Sequence, residues 1–132
     1  MSRMPQKPLP TDAELAILNV LWRRGPSTVR DVFEALQEGP KSGYTTVLKL
    51  LQIMFEKGLV KRDESQRSHV YRAAASEEQT QKRLVGDLIE RAFGGSAPAL
   101  VMRALSVKPA SLAELDAIRK LLDDAESKED KA

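Results

Sequence analysis

Apolar residues recur every three or four positions along the first part of this chain, which is the spacing of helices with one buried face. The first such segment begins at Thr11–Glu14, where a Thr and a Glu three residues apart form a capping box, and it stops at Gly25. The second begins near residues 27–28 and stops at Gly39. The pattern therefore predicts two helices of ordinary length before residue 40.

A third helical segment, roughly residues 44–57, has one apolar face and one polar face. The apolar face comprises Val47, Leu50, Leu51 and Met54. The other face presents two hydroxyls and an amine near its first turn, from Thr45, Thr46 and Lys49. The glycine at position 58 is where a left-handed C-terminal cap is expected. The short polar motif taken alone favours a solvated helix face. Its place after two helices and before a hairpin favours a helix that enters the major groove of DNA.

The pattern changes to alternation over residues 59–63 and 69–73, which are separated by a polar stretch. This alternation predicts an antiparallel hairpin, and three helices followed by a hairpin predict a winged helix-turn-helix. The hairpin contains four basic residues, Lys61, Arg62, Arg67 and Arg72, and Arg67 is at its tip. A wing of this kind reaches the DNA backbone or the minor groove. Asp63 and Glu64 dilute the charge, so a charged turn that only aids solubility is the alternative.

Three more amphipathic segments follow, and the last of them begins at a second capping box, Ser111 to Glu114. Together these patterns predict a mainly α protein. We expect an N-terminal arm (residues 1–8), a winged-helix DNA-binding domain (9–75), a three-helix dimerisation region (76–122) and a disordered charged tail (123–132). Three short helices bury little surface alone, and a second copy would complete their core. The alternative is a small bundle packed on residues 1–75. The residues expected to mediate dimerisation are Leu84, Leu88, Ile89, Phe93, Leu100, Val101, Leu105, Leu115, Ile118 and Leu122.

Composition narrows the choice of function. The 132 residues are 42% hydrophobic and 30% charged and include no cysteine, which excludes disulfides and thiolate metal sites. Residues 1–75 carry 12 basic and 8 acidic side chains, whereas residues 76–132 carry 9 and 11. This mild asymmetry favours a nucleic-acid module joined to a second region. No apolar run is long enough to insert into a membrane, so we expect a cytoplasmic protein.

Catalysis has little support in the sequence. There is no Gly-rich phosphate loop, and no serine is accompanied by a base and an orienting group. His69 is the only histidine, and a half-buried strand position explains it better than a metal site does. We therefore expect no enzyme activity and no cofactor. A protein-interaction module is the rival interpretation, because winged helices also bind proteins.

These motifs resemble those of the penicillinase-repressor family, the BlaI/MecI/CopY type of winged-helix regulators, over roughly residues 9–122. The similarity rests on Leu9–Leu15, Leu18–Trp22, Thr28–Val32, Tyr44–Val47, Leu50–Leu51, Lys57–Val60 and Arg67–Tyr71. The resemblance implies a homodimeric repressor that binds dyad-symmetric operators of resistance or stress genes. The DNA contacts, from position and chemistry together, are expected at Lys41, Ser42, Tyr44, Thr45, Thr46, Lys49 and Arg67.

Two departures from the family pattern bear on regulation. Copper-responsive members have a C-terminal Cys-x-Cys pair, and this chain has no cysteine. Resistance repressors are cut at an Asn–Phe bond when a membrane sensor metalloprotease is activated. The aligned bond here is Arg103–Ala104, which lacks that signature. Relief by a sensor protease with another preference, by cleavage elsewhere or by another signal stays open.

Overall fold

A computed structural model describes residues 8–37 and 43–130 of the chain. The elements are α1 (Asp12–Arg24), β1 (Ser27–Thr28), α2 (Val29–Leu36), α3 (Tyr44–Lys57), β2 (Val60–Asp63), β3 (Val70–Ala73), α4 (Glu77–Ala92), α5 (Ala97–Val107) and α6 (Leu112–Asp130). Helices dominate, and the first three of them are followed by a β-hairpin. The predicted mainly α fold with an N-terminal winged helix-turn-helix is confirmed.

The helices begin and end where local chemistry requires. Glu14 donates its amide proton to the Thr11 hydroxyl over 3.2 Å, and the Thr11 amide donates to the Glu14 carboxylate over 2.9 Å. The same reciprocal pair, at 3.1 Å in both directions, joins Thr28 and Asp31 at the start of α2. Gly58 ends α3 with φ 81° and ψ 15°, which a residue with a Cβ rarely adopts. Short-range sequence signals therefore fix these boundaries.

The sheet has three antiparallel strands in the order β1-β3-β2. β3 is central, because Ser27 of β1 and Arg62 of β2 both pair with Tyr71. The hairpin agrees with the predicted one, whereas β1 was not predicted. Two residues are too few to show alternation, and β1 forms because β3 offers it a free edge.

The core lies between the three helices and the sheet. Its buried apolar side chains are Ile17, Leu18, Leu21, Val29, Val32, Val47, Leu51, Met54, Leu59, Val60 and Tyr71. Glu14 is buried with them at 1% exposure, and its carboxylate accepts from the Lys57 ammonium at 2.8 Å. Burial alone would raise the pKa of Glu14, but Lys57 and the Thr11 amide outweigh it and leave that pKa below its ordinary value. The pair joins the start of α1 to the end of α3.

The segment after the hairpin is held by one long-range hydrogen bond and one local cap. The Trp22 indole donates its N–H to the carbonyl of Ala75 at 3.1 Å. Ser76 and Gln79 then form a reciprocal cap at the start of α4, with distances of 3.1 and 2.9 Å, and Thr80 is buried. The beginning of α4 therefore belongs with the N-terminal unit.

The chain divides into two compact units, Met1–Val85 and Gly86–Ala132. The division falls within α4 rather than at the expected boundary after residue 75. At the other end, α6 continues to Asp130, so the segment expected to be disordered from residue 123 is helical up to that point. Residues 123–130 contain no Gly or Pro to end the helix, although half of them are Asp or Ser, which favour helices only weakly. The expected arm lies outside the described residues except for Pro8.

The second unit has a different character. From Gly86 to Glu129 no side chain is fully buried. Ser96 accepts from the Ala99 amide at the start of α5, and Ser111 and Glu114 form the expected capping box of α6. Met102, Val107, Leu112 and Leu121 are each exposed by two thirds or more. This unit has well-formed helices but lacks a closed core of its own.

Candidate nucleic-acid interface

The N-terminus of α3 carries no negative charge of its own. Its cap is Gly43, which has no side chain to accept from the first amides, and the first turn contains no acidic residue. By contrast, α1, α2, α4 and α6 all have an acidic residue in the first turn, and α5, which has none, is capped by the Ser96 side chain. A helix N-terminus has a partial positive charge and unpaired N–H groups, and no described residue of α3 or its cap supplies an anion for them.

The outer face of α3 is polar and exposed. Thr45, Thr46 and Lys49 lie on it, as does Gln52, whereas Val47, Leu51 and Met54 have no exposed surface. Leu50, which was expected to point inward, is half-buried at the edge of the core. The helix is therefore anchored by its apolar side and presents hydroxyl, amine and amide groups on the opposite side. These are groups that hydrogen-bond base edges and phosphates.

Tyr44 is held in place at the start of α3. Its ring meets that of Phe33 edge-to-face, with centroids 5.7 Å apart and an interplanar angle of 74°. The Arg30 guanidinium lies 5.6 Å from the Tyr44 centroid, and Glu34 pairs with Arg30 at 3.7 Å. Tyr44 thus packs α3 against α2, while 41% of its surface stays exposed.

A cleft of about 520 Å³ lies between α2, α3 and the wing. Its lining comprises Thr28, Val29, Arg30, Asp31, Glu34, Tyr44, Leu48, Gln52, Arg62, Arg67, Ser68, His69 and Tyr71. Three arginines, two carboxylates (Asp31 and Glu34) and several neutral hydrogen-bonding groups surround one concave surface. The arginines outnumber the carboxylates by one, so this surface has a small net positive charge, which favours a polyanion between α3 and the wing.

The tip of the wing has a defined turn. The Asp63 carboxylate accepts the amide proton of Ser65 at 2.9 Å, and this bond holds the pKa of Asp63 below its ordinary value. Arg67 follows on the exposed side of the same turn. His69 is half-buried just before β3 and lines the cleft, as a strand-edge residue would.

The structure brings the expected DNA-contacting residues together only in part. Tyr44 and Arg67 line the same cleft, and Thr45, Thr46 and Lys49 lie beside it on the exposed face of α3. Lys41 and Ser42 lie outside the described residues. Sequence reasoning missed Arg30 and Gln52 as lining residues and treated Arg62 as one more surface charge. The helical spacing of Tyr44, Leu48 and Gln52 was the available signal for the cleft side of α3.

The expected dimerisation residues are all incompletely buried in the single chain. Leu84, Ile89, Phe93, Leu100, Leu105, Leu115 and Ile118 are half-buried, and Leu88, Val101 and Leu122 are exposed. Arg103 and Ala104, the expected cleavage region, lie on exposed positions of α5. Among the described helices, none is both long enough and apolar enough to cross a membrane.

Comparison with known proteins adds an independent finding. A family model described as penicillinase repressor matches residues 10–124. The chain is 33% identical over 118 residues to the transcriptional regulator BlaI of Mycobacterium tuberculosis, which covers 88% of this chain and 84% of that protein. It is 19% identical over 116 residues to the penicillinase repressor of Staphylococcus aureus, with coverage of 88% and 92%.

Among solved structures, the chain is similar to Bacillus licheniformis BlaI in its monomeric form, in complex with the blaP half-operator. That match covers 57% of this chain and 92% of the other, with a TM-score of 0.49 and 24% identity.

The family model spans nearly the whole chain and extends into both compact units. It confirms the resemblance inferred from the Tyr44–Val47 motif and its neighbours. Members of this family are transcriptional repressors rather than enzymes. This chain belongs to the penicillinase repressor family.

Proposed function

We propose that the protein is a sequence-specific DNA-binding repressor that acts as a homodimer on a dyad-symmetric operator. One observation carries the proposal: the exposed face of α3 is polar, and its N-terminus has no anion of its own. The exposed Arg67 of the wing borders the same surface. A helix anchored in this way can enter the major groove while the wing follows the adjacent backbone.

Each part of this surface has a separate role. Thr45, Thr46 and Lys49 read base edges, because a hydroxyl can donate or accept and an ammonium can donate to guanine. The first amides of α3 bind a phosphate, and Arg67 contacts the backbone or the minor groove. Lys41, Ser42 and Tyr44 complete the set that we propose to contact DNA. Repression then follows from occlusion, since a protein bound over a promoter blocks polymerase.

The homodimer is supported by the incomplete core of the second unit. Its apolar side chains are half-buried or exposed, and a second copy would remove them from water. A two-fold axis would also present two copies of α3 to two half-sites. The proposed interface is the set of apolar residues from Leu84 to Leu122.

The test begins with selection from a library of random duplexes a few helical turns long. We expect the protein to enrich a dyad-symmetric consensus sequence and to bind it at physiological salt concentration. The affinity should fall steeply as the salt concentration rises. Thr46→Ala should weaken binding to the enriched duplex by about 1–3 kcal/mol, because one good base contact is lost. Fluorescence anisotropy would measure the affinities of the wild-type protein and of Thr46→Ala for the enriched duplex.

The controls use the same helix and random DNA. Glu56→Gln, near the far end of α3 and outside the proposed contact set, should leave the discrimination between selected and random duplexes intact. An equal loss for Thr46→Ala on selected and random duplexes would argue against base reading. Failure of the wild-type protein to enrich any sequence would refute the proposal and favour a protein-interaction module.

The regulated genes and the signal that relieves repression are part of the proposed function. The name of one relative, penicillinase repressor, supports control of resistance genes. We propose that repression is relieved by a sensor metalloprotease or by another signal. Arg103–Ala104 lies in a regular helix, and a protease needs an extended substrate, so cleavage there would require local unfolding of α5. A reading frame beside the gene that encodes a multispanning zinc protease would support this route.

A further inference from the structure

Arg62 occupies a strand position that normally holds an apolar side chain. In β2, Val60 is buried, Lys61 is exposed and Arg62 is partly buried, so alternation directs Arg62 inward. Its cross-strand partner is Tyr71, which is 1% exposed. The Arg62 side chain retains only 19% of its exposure. An arginine turned inward at the base of a wing requires an explanation beyond surface charge.

The contacts of Arg62 connect the wing to α3. Its guanidinium lies 4.0 Å from the ring centroid of Phe55 on α3 and 6.0 Å from that of Tyr71 on β3. On its polar edge, Nε donates to the Glu64 carboxylate at 2.7 Å, and a second nitrogen pairs with the same oxygen. The planar group thus stacks on the helix while its edge is bonded within the hairpin.

Arginine is suited to this double role. Its flat guanidinium stacks on an aromatic ring and donates in its own plane at the same time, whereas a lysine ammonium has no flat face. Phe55 is 38% exposed, so the stack also covers part of an apolar ring that would otherwise face water. The arrangement ties the first strand of the wing to the end of α3 that is remote from Gly43.

We propose that Arg62 is a positioning residue that orients the wing relative to α3 and thereby places Arg67 on the DNA. This inference rests on the proposed function. Arg62 and Arg67 line the same cleft, but the edge of Arg62 is occupied by Glu64 whereas Arg67 is on the exposed tip. Arg67 makes the backbone contact, and Arg62 keeps the wing where that contact is possible.

The first experiment is a double-mutant cycle on the duplex that the wild-type protein enriches. Arg62→Met and Phe55→Leu should each weaken binding about fivefold, the equivalent of one cation–π contact of about 1 kcal/mol. Arg67→Ala should cost much less in the Arg62→Met background than in the wild type, because residues that act together are not additive. Lys61→Met, which removes a charge from the outer face of the same strand, should combine additively with Arg67→Ala.

The salt dependence separates positioning from direct contact. The logarithm of the affinity falls linearly with the logarithm of the salt concentration, and loss of one phosphate contact reduces the magnitude of that slope by about one. If Arg62 acts only through Arg67, then Arg62→Met, Arg67→Ala and the double variant should all show the same reduced slope. A further drop of about one in the double variant would mean that Arg62 makes its own phosphate contact, and would overturn the proposal.

A second measurement needs no DNA and separates this inference from the proposed function. In Arg62→Met, amide protons of β2 and β3 should exchange faster, whereas those of α1 and α3 keep the wild-type rate. Arg62→Lys should not restore slow exchange, but Phe55→Trp, which keeps the stack, should retain it. Unchanged exchange in both Arg62→Met and Phe55→Leu would overturn the inference even if the wild-type protein binds its operator. If no sequence is enriched, the proposed function fails while this measurement still reports on the wing.

Discussion

The two compact units of this chain differ in how they bury apolar side chains. The N-terminal unit closes a core around Ile17, Leu51 and Tyr71, each at most 1% exposed. In the C-terminal unit, from Gly86 to Glu129, no side chain is fully buried, and Leu121 is 67% exposed. A closed core lets the first unit fold and hold α3 rigidly on its own. The second unit has no such closed core, so its apolar side chains need another surface to pack against. We propose that a second copy of the chain supplies that surface.

Separating the units is expected to have the largest effect. A chain ended after Ala92 retains the closed core and α4, so it should still unfold cooperatively at a temperature that does not depend on protein concentration. It should lose roughly 10²–10⁴-fold in affinity for the selected duplex, because the second half-site becomes a separate binding event. Calorimetry and anisotropy would test the two halves of this prediction.

A full-length variant sharpens the same point. Leu122→Lys places a charge on the expected dimer surface, whereas Ser127→Lys places it on the opposite side of α6. Only the first should shift the sedimentation equilibrium toward monomer. Equal behaviour of the two variants would mean that the apolar stripe of α6 is not the contact.

The next effect concerns the closed core itself. Leu51 has no exposed surface, so Leu51→Ala should lower the free energy of unfolding by about 2–5 kcal/mol at any protein concentration. Gln52→Ala, the exposed neighbour on the same helix, should change it by less than about 0.5 kcal/mol. Urea titrations would give both free energies of unfolding. A Leu51→Ala loss as small as that of Gln52→Ala would mean that the core around Leu51 is not tightly packed.

The smallest expected difference in stability is between variants of two ion pairs of similar length, one in each unit. Lys57 meets the buried Glu14 at 2.8 Å, whereas Arg119 meets the exposed Asp116 at 2.7 Å. Lys57→Met should cost about 1–3 kcal/mol at neutral pH, because it leaves a buried carboxylate without its partner. Arg119→Met should cost no more than about 0.5 kcal/mol.

The pH dependence has a definite sign. The pKa of Glu14 in the folded protein lies below its ordinary value of 4.5, so the unfolded chain takes up a proton first as the pH falls. The stabilisation is complete above that value and is lost as the pH falls through the folded-state pKa. The stability difference between wild type and Lys57→Met should therefore shrink in acid, and a difference that stays constant from pH 7 to pH 3 would contradict this account.

Sequence patterns predict what depends on near neighbours. The capping boxes at Thr11 and Ser111, the bounds of α3 and the left-handed Gly58 all arise from residues within a few positions of one another. The polar face of α3 is predicted from near neighbours too, because helical periodicity alone determines it. The family motif at Tyr44–Val47 then indicates what that face is for.

Contacts between distant residues are what the patterns miss. Glu14 is predicted as a cap residue, yet it also pairs with Lys57, 43 positions away. Arg62 is predicted as one basic residue among several, and only the hairpin register shows that it faces Tyr71 while Lys61 faces outward with Arg72. The roles of both residues depend on which elements the fold brings together, and composition carries no information about that.

Trp22 has a consequence for how this molecule can be studied. It is the only tryptophan, and its indole N–H bonds the carbonyl of Ala75, where the chain leaves the hairpin for α4. The protein thus carries its only tryptophan at the junction between the hairpin, which we propose contacts DNA, and the start of α4. Its emission would report, without any added label, whether that junction loosens when an operator or an inducing signal arrives.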